Sequence, residues 1–364
     1  MHGRATTLRL MAERSPPIQF VVPGSIEQRT GGYGYDRRII SELRTYGRDV
    51  RVVELEGIFP NCDEIAKSAA ARALSAVPEG STMVIDGLAL PAFEEVLEEN
   101  AGGGFVIALV HHPLALETGL AASDSKSLST LEFALLQQVD HIVTTSLATA
   151  RLLEADGIAE HRISAVPPGT DRAPPTRGSS GGPLQLLCVA ALIPRKGHRA
   201  LIDALAECAD PSWRLLCLGS QVRDRTESEA IAAHVDRLEL SDKVIFGGEA
   251  DEATLAAAYG AADVFVLASA LEGYGMAFAE ALARGLPIVG SGAGAVRDTV
   301  PGTAGLIVPV GAHAALVDAL SRMIGDGALR ARFAAGARAV ARGLPDWPTA
   351  GREFVQVLDR AMAL

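Results

Sequence analysis

Apolar runs rich in β-branched residues alternate with helical patterns along most of this chain, which restricts it to parallel α/β sheets joined by crossover helices. Strands are expected near Ile18–Val22, Val50–Leu55, Thr82–Ile85, Phe105–Val110, His141–Thr144 and Ile163–Val166. There the alternation breaks. Pro167–Pro183 carries Pro-Pro twice and Gly-Ser-Ser-Gly-Gly, which no regular element tolerates, so it reads as a domain linker. A second series follows, with strands expected near Gln185–Ala190, Trp213–Leu218, Val244–Phe246, Val264–Leu267, Pro287–Val289 and Leu306–Val308. The division is a flexible tail over 1–17, a first Rossmann-like domain over 18–168, a linker over 169–183, a second Rossmann-like domain over 184–345 and a terminal helix over 346–364. Two such halves leave a cleft between them.

Composition narrows the function. A chain of 364 residues holds two cores of ordinary size. A formal charge of -11 argues against nucleic-acid binding, which rests on many Lys and Arg contacts. A local basic patch for a membrane surface stays open but unsupported. Cys62, Cys188, Cys208 and Cys217 show no metal-ligand spacing and read as reduced thiols. No apolar run approaches the roughly 18 residues a membrane span needs, and Arg9, Glu13 and Arg14 interrupt any signal-peptide core. A cytoplasmic location is the expectation.

The stretch Leu271-Glu272-Gly273-Tyr274-Gly275-Met276-Ala277-Phe278-Ala279-Glu280 follows the buried strand Val264–Leu267 and opens a helix. Ligands of open α/β sheets bind at such strand ends. Gly273 and Gly275 permit close backbone approach, and the N–H groups of Gly275, Met276 and Ala277 sit at the positive end of the helix dipole, where a diphosphate fits. Glu272 can accept hydrogen bonds from sugar hydroxyls, and Glu280 can grip a ribose diol. The plainer reading makes Glu272 a loop charge and pairs Glu280 with Arg284 on a solvated face, worth only about 0.3 to 0.5 kcal/mol. The small apolar neighbours of Glu280 argue against it.

Pro194-Arg195-Lys196-Gly197 lies in the loop after the second domain's first strand. A fixed cation there would stabilise charge arising on a departing diphosphate, and Lys196 is the candidate, with Arg195 beside it in an extended loop. The alternative is a solvated basic loop. His111-His112-Pro113 ends the apolar run Phe105–Val110, where a histidine is often only a structural hydrogen-bonder. The eight histidines are scattered and no close acidic pair marks a divalent-ion site.

The two acids Glu272 and Glu280 with seven residues between them resemble the signature of family-4 glycosyltransferases, retaining enzymes of the GT-B fold. Val166-Pro167-Pro168-Gly169-Thr170-Asp171, Pro194-Arg195-Lys196-Gly197, Ala262-Asp263-Val264-Phe265-Val266 and Gly305-Leu306-Ile307-Val308-Pro309 resemble family landmarks in family order; Gly31-Gly32, His111-His112-Pro113 and Asp140–Ser146 match more loosely. The resemblance implies an α/β GT-B fold, two Rossmann-like domains facing across a cleft. It also implies a last helix, near Trp347–Met362, that returns to the first domain. It places Tyr274 in the donor-binding turn, makes His111 the cleft histidine that contacts the sugar or steers the acceptor, and likens Gly31-Gly32-Tyr33-Gly34 to a flexible loop near the diphosphate. It further implies retaining, metal-independent transfer of a hexose from a nucleotide diphosphate sugar, without a bound cofactor, to a small-molecule, glycan or lipid-linked acceptor. One position departs from the family: the arginine expected five residues before Lys196 is Ala191.

Two other readings compete. A non-catalytic nucleotide-sugar binder is encouraged by Ala191. A nicotinamide oxidoreductase is raised by Gly290-Ser291-Gly292-Ala293-Gly294-Ala295, which fits the dinucleotide fingerprint in its Ala-ended form. That fingerprint also wants an acid about 20 residues on, where this chain has Pro309-Val310-Gly311-Ala312.

Overall fold

The computed structural model describes residues 17–78, 80–98, 104–116, 122–179, 181–210 and 212–362; the tail expected over 1–17 falls outside them up to residue 16. The first domain holds β1 (Ile18–Pro23), α1 (Gly31–Thr45), β2 (Val50–Leu55), α2 (Glu64–Ser75), β3 (Thr82–Asp86), β4 (Phe105–Val110), α3 (Ala122–Gln138), β5 (His141–Thr144), α4 (Leu147–Ala155) and β6 (Ile163–Ala165). Its parallel sheet runs β2-β1-β3-β4-β5-β6. All six residues of β1 and all five of β3 are buried, as strands covered on both faces must be. The pleat sends Val21, Met83 and Ile85 into a core with Ala70 of α2 and Leu135 of α3, while Phe20, Val22 and Val84 face Ile39 of α1 on the other side.

The second domain holds β7 (Leu184–Val189), α5 (His198–Ala206), β8 (Trp213–Leu218), α6 (Arg225–Arg237), β9 (Val244–Gly248), α7 (Glu252–Ala261), β10 (Val264–Glu272), α8 (Met276–Ala283), β11 (Ile288–Gly294), α9 (Val296–Thr299), β12 (Gly305–Val308), α10 (His313–Gly325) and α11 (Gly327–Ala341). Its sheet runs β12-β11-β10-β7-β8-β9 and is also parallel. The two parallel sheets are the arrangement that the resemblance implies.

Two strands outrun their expected ends by five residues each, from Leu267 to Glu272 and from Val289 to Gly294. β10 continues past Leu267 to Glu272 with an irregular register between Ala268 and Leu271, and β11 runs through Gly294, which pairs with Glu272. The fingerprint-like Gly290–Gly294 is therefore strand, not a strand-to-helix turn that could cradle a pyrophosphate.

The last helix, α12 (Trp347–Ala361), starts on Asp346, whose carboxylate accepts Thr349 N–H at 3.0 Å. Its buried stripe of Trp347, Ala350, Phe354, Val357 and Leu358 enters the first domain's core against α1. Gly351 lets it sit close, since a Cβ there would lie 2.3 Å from the Glu42 Cβ. Among its described residues the expected linker carries no regular element, yet it is tied down. Thr176 Oγ1 donates to the Ala262 carbonyl at 2.7 Å, and the Asp263 carboxylate accepts Ser179 N–H at 2.9 Å and Gln185 N–H at 2.8 Å.

Candidate active site between the two domains

Each sheet has one place where the chain leaves neighbouring strands in opposite directions: β1 and β3 in the first, β7 and β10 in the second. Such switch points open crevices at the strands' carboxyl ends. The two crevices face each other across a cavity of about 650 Å³, within the usual range for ligand pockets. Gly31, Gly32, His111, Arg195, Lys196, Glu272, Gly273, Tyr274, Gly275, Met276, Ala277 and Glu280 all line it, as does Ala191.

On the second domain's side, Pro194–Lys196 is a 3₁₀ turn, not the expected extended loop. Pro194 starts it with a fixed φ, and Gly197 ends it at φ 66°, packed so tightly that a Cβ would lie 1.9 Å from the Ala268 carbonyl oxygen. The turn sends both cations to the end of β10. Arg195 Nη1 donates to the Leu271 carbonyl at 3.1 Å, and Lys196 Nζ donates to Glu272 Oε1 at 2.7 Å. Ser269 Oγ donates to the same oxygen at 2.6 Å. Burial pushes the Glu272 carboxyl upward, but Lys196 and the Ser269 hydroxyl outweigh it and hold it below the usual carboxylate range.

No side chain caps the N-terminus of α8, whose first turn opens on the cavity from Gly275 at φ 88°. Glu280, in the second turn, does not make the surface side-chain pair with Arg284. Tyr259 Oη donates to Glu280 Oε2 at 2.9 Å, while Arg284 donates to the Glu280 backbone carbonyl at 3.0 Å and stacks over the Tyr259 ring at 4.3 Å. Burial raises the Glu280 pKa, opposed by the tyrosine hydrogen bond.

On the first domain's side the fold brings together what spacing did not. His111 Nε2 lies 3.1 Å from Asp36 Oδ1 and 3.3 Å from Asp86 Oδ2. An acidic pair does form at a histidine, correcting the expectation that none does: three ligand-type atoms stand within 4.8 Å, with the imidazole already bonded between the carboxylates. Burial works against the imidazolium, but the two carboxylates outweigh it and raise the His111 pKa to about 10. The carboxylates thus favour the imidazolium, the form in which this ring donates and cannot serve as a base. A group with a raised folded pKa contributes stability fully below its unfolded value, near 6.5, and loses it as pH rises through the folded value. The melting-temperature advantage of wild type over His111→Gln should therefore shrink between about pH 6.5 and 10; an advantage constant across that window would remove the ion pair from this explanation.

Gly31-Gly32-Tyr33-Gly34 is the first turn of α1, not a flexible loop; Thr30 caps it by accepting Tyr33 N–H at 3.4 Å. The glycines leave room on both sides: a Cβ on Gly32 would touch the His111 ring of the same wall at 3.4 Å, and one on Gly31 would meet Met276 Sδ of the opposite wall at 3.8 Å. Gly273, expected to admit a ligand, instead admits the other domain, since its Cβ would fall 2.0 Å from the His111 carbonyl oxygen. Asp36, Asp86, Ser269 and Tyr259 escaped sequence reasoning. Only Asp86 carried a readable signal, a carboxylate ending a buried apolar strand.

Residues 170–340 match the family model described as glycosyl transferases group 1. The chain is 36% identical over 172 residues to a phosphatidyl-myo-inositol mannosyltransferase of Mycobacterium leprae, covering 46% of this chain and 43% of that protein. It is 30% identical over 237 residues to a D-inositol 3-phosphate glycosyltransferase of Xylanimonas cellulosilytica, covering 60% and 56%. The chain thus spans about half the length of the curated relatives it matches. Among solved structures, sucrose-phosphate synthase from Thermosynechococcus elongatus superposes with a TM-score of 0.81 at 20% identity over 96% of this chain and 99% of that one. Anabaena HepE, in complex with UDP and glucose, superposes with a TM-score of 0.77 at 19% identity over 94% and 99%. No helix among the described residues is long and apolar enough to cross a membrane.

Proposed function

We propose that this chain is a retaining glycosyltransferase that moves a sugar, a hexose in the simplest case, from a nucleotide diphosphate sugar to an acceptor hydroxyl. The observation that carries the reading is one cavity wall holding Lys196, the uncapped start of α8 and Glu280 together at the second domain's switch point. The two curated relatives, a mannosyltransferase and a glycosyltransferase by name, support it.

The diphosphate lies between Lys196 and the N–H groups of α8, two donors of positive potential that need no rearrangement as charge develops. Glu280, oriented by Tyr259, takes the ribose hydroxyls. Lys196 and Ser269 both donate to Glu272 Oε1, and the carboxylate they hold in place is assigned to a sugar hydroxyl. His111, held as a cation, donates to the transferred sugar or the acceptor from the opposite wall. The bond from the anomeric carbon to phosphate oxygen breaks, the acceptor oxygen attacks the same face, and the leaving phosphate oxygen takes the acceptor's proton, so no separate base is required.

Glu280→Gln keeps the shape and loses the charge, so donor affinity should fall by about 1 to 3 kcal/mol with little change in melting temperature. A sharp drop in melting temperature with unchanged donor affinity would make Glu280 structural. Because side-chain cations and helix N–H groups neutralise the diphosphate, omitting magnesium and manganese should leave transfer unchanged; turnover that appears only when either ion is added would overturn the metal-independent route. Ala191 keeps a non-catalytic binder as the second reading. Screening uridine, guanosine and adenosine diphosphate sugars for hydrolysis and transfer separates the two: the enzyme releases nucleoside diphosphate from one donor class, and a binder retains donor without turnover.

A further inference from the structure

Behind the Lys196 turn, in the core of the second domain, lie two cysteines and a histidine with no part in the chemistry above. Cys188 on β7 and Cys217 on β8 are direct partners across adjacent parallel strands, and His198, the first residue of α5, lies over them. All three are buried, at 0%, 1% and 1% exposure. Nothing in their sequence spacing points to this meeting, because strand pairing brings the cysteines together and the Gly197 turn delivers the histidine.

We propose that Cys188, Cys217 and His198 form a site for one zinc-type cation. One ligand atom from each residue lies within 4.8 Å of the others, and Cys188 Sγ stands 3.6 Å from His198 Nε2. With Zn–S near 2.3 Å and Zn–N near 2.0 Å, tetrahedral geometry requires a sulfur–nitrogen edge of about 3.5 Å. Charge agrees as well: two thiolates and a neutral imidazole around a divalent ion make a neutral unit, the form that an apolar core accepts. Without the ion, the buried His198 ring has no partner at Nδ1 and only a thiol at Nε2, a weak bond for a polar ring in such surroundings. A metal bond at Nε2 supplies the strong one.

Because His198 follows the Lys196-Gly197 turn directly, an ion here would fasten the start of α5 to β7 and β8. The site does not depend on the transferase reading. The test is metal content of the full chain purified without chelator from zinc-supplemented culture, measured by mass spectrometry. The expected result is about one zinc per chain, reduced at least roughly tenfold in Cys188→Ser/Cys217→Ser and in His198→Gln. Cobalt-grown protein should show a thiolate-to-metal absorption band that both variants lack. Substoichiometric zinc in folded wild type, or zinc without the cobalt–thiolate band, would overturn the proposal, and both readings hold even if the variants fail to fold.

Discussion

Lys196→Ala should lower transfer by about 10²- to 10³-fold, the usual consequence of removing a preorganised group that meets charge in the transition state. The same change strips the cation from Glu272, a residue only 7% exposed, and breaking such a pair costs about 3 to 5 kcal/mol. Loss of rate must therefore be separated from loss of fold. Glu272 has a depressed pKa, so its pairing stabilises the protein above the ordinary carboxylate value, and that contribution disappears as pH falls through the lower folded value. The double variant Lys196→Ala/Glu272→Gln should recover melting temperature near neutral pH without recovering turnover. If turnover recovers too, Lys196 serves only to neutralise Glu272. Arg195 also reaches the end of β10, at the Leu271 carbonyl, so it shares this wall despite standing next to Lys196. Should Arg195→Ala lose turnover while Lys196→Ala keeps it, the roles are exchanged. Ala191→Arg should raise transfer if the wall is one cation short.

Gly273→Ala should lower transfer by about 10²-fold, the scale of a 1 Å misplacement in a catalytic arrangement. The new methyl would meet the His111 carbonyl oxygen at 2.0 Å, and both are backbone-fixed, so the two walls must separate. Gly260→Ala is the control: nothing lies within 4 Å of the added carbon, and transfer should hold. Equal, full activity in both variants would mean that the closed cleft is not the form that turns over.

The strand cores were legible because burial on both faces writes itself as continuous apolar runs; Phe105–Val110, His141–Thr144 and Trp213–Leu218 fall where expected. β10 and β11 ran longer than expected because their ends, Ala268–Glu272 and Gly290–Gly294, are small, polar or irregular in register, and only their mutual pairing keeps them extended. The start of α1 was hidden for a related reason. Glycine is a poor helix former, and the Thr30 cap with packing against His111 and Met276 overrides that preference. Glu272, Glu280 and Lys196 could be found because each sits in a local strand–turn–helix pattern. Asp36 and Asp86 could not be grouped with His111, because α1, β3 and β4 bring them together only through sheet order.

The placement of the donor is tested most directly by calorimetric titration of UDP, GDP and ADP into wild type, Lys196→Ala and Glu280→Gln. The expected result is binding of one nucleotide by wild type, weakened roughly fivefold or more by each substitution separately. Binding by none of the three, or an affinity that neither substitution changes, would contradict a diphosphate held between Lys196 and α8 with its ribose at Glu280.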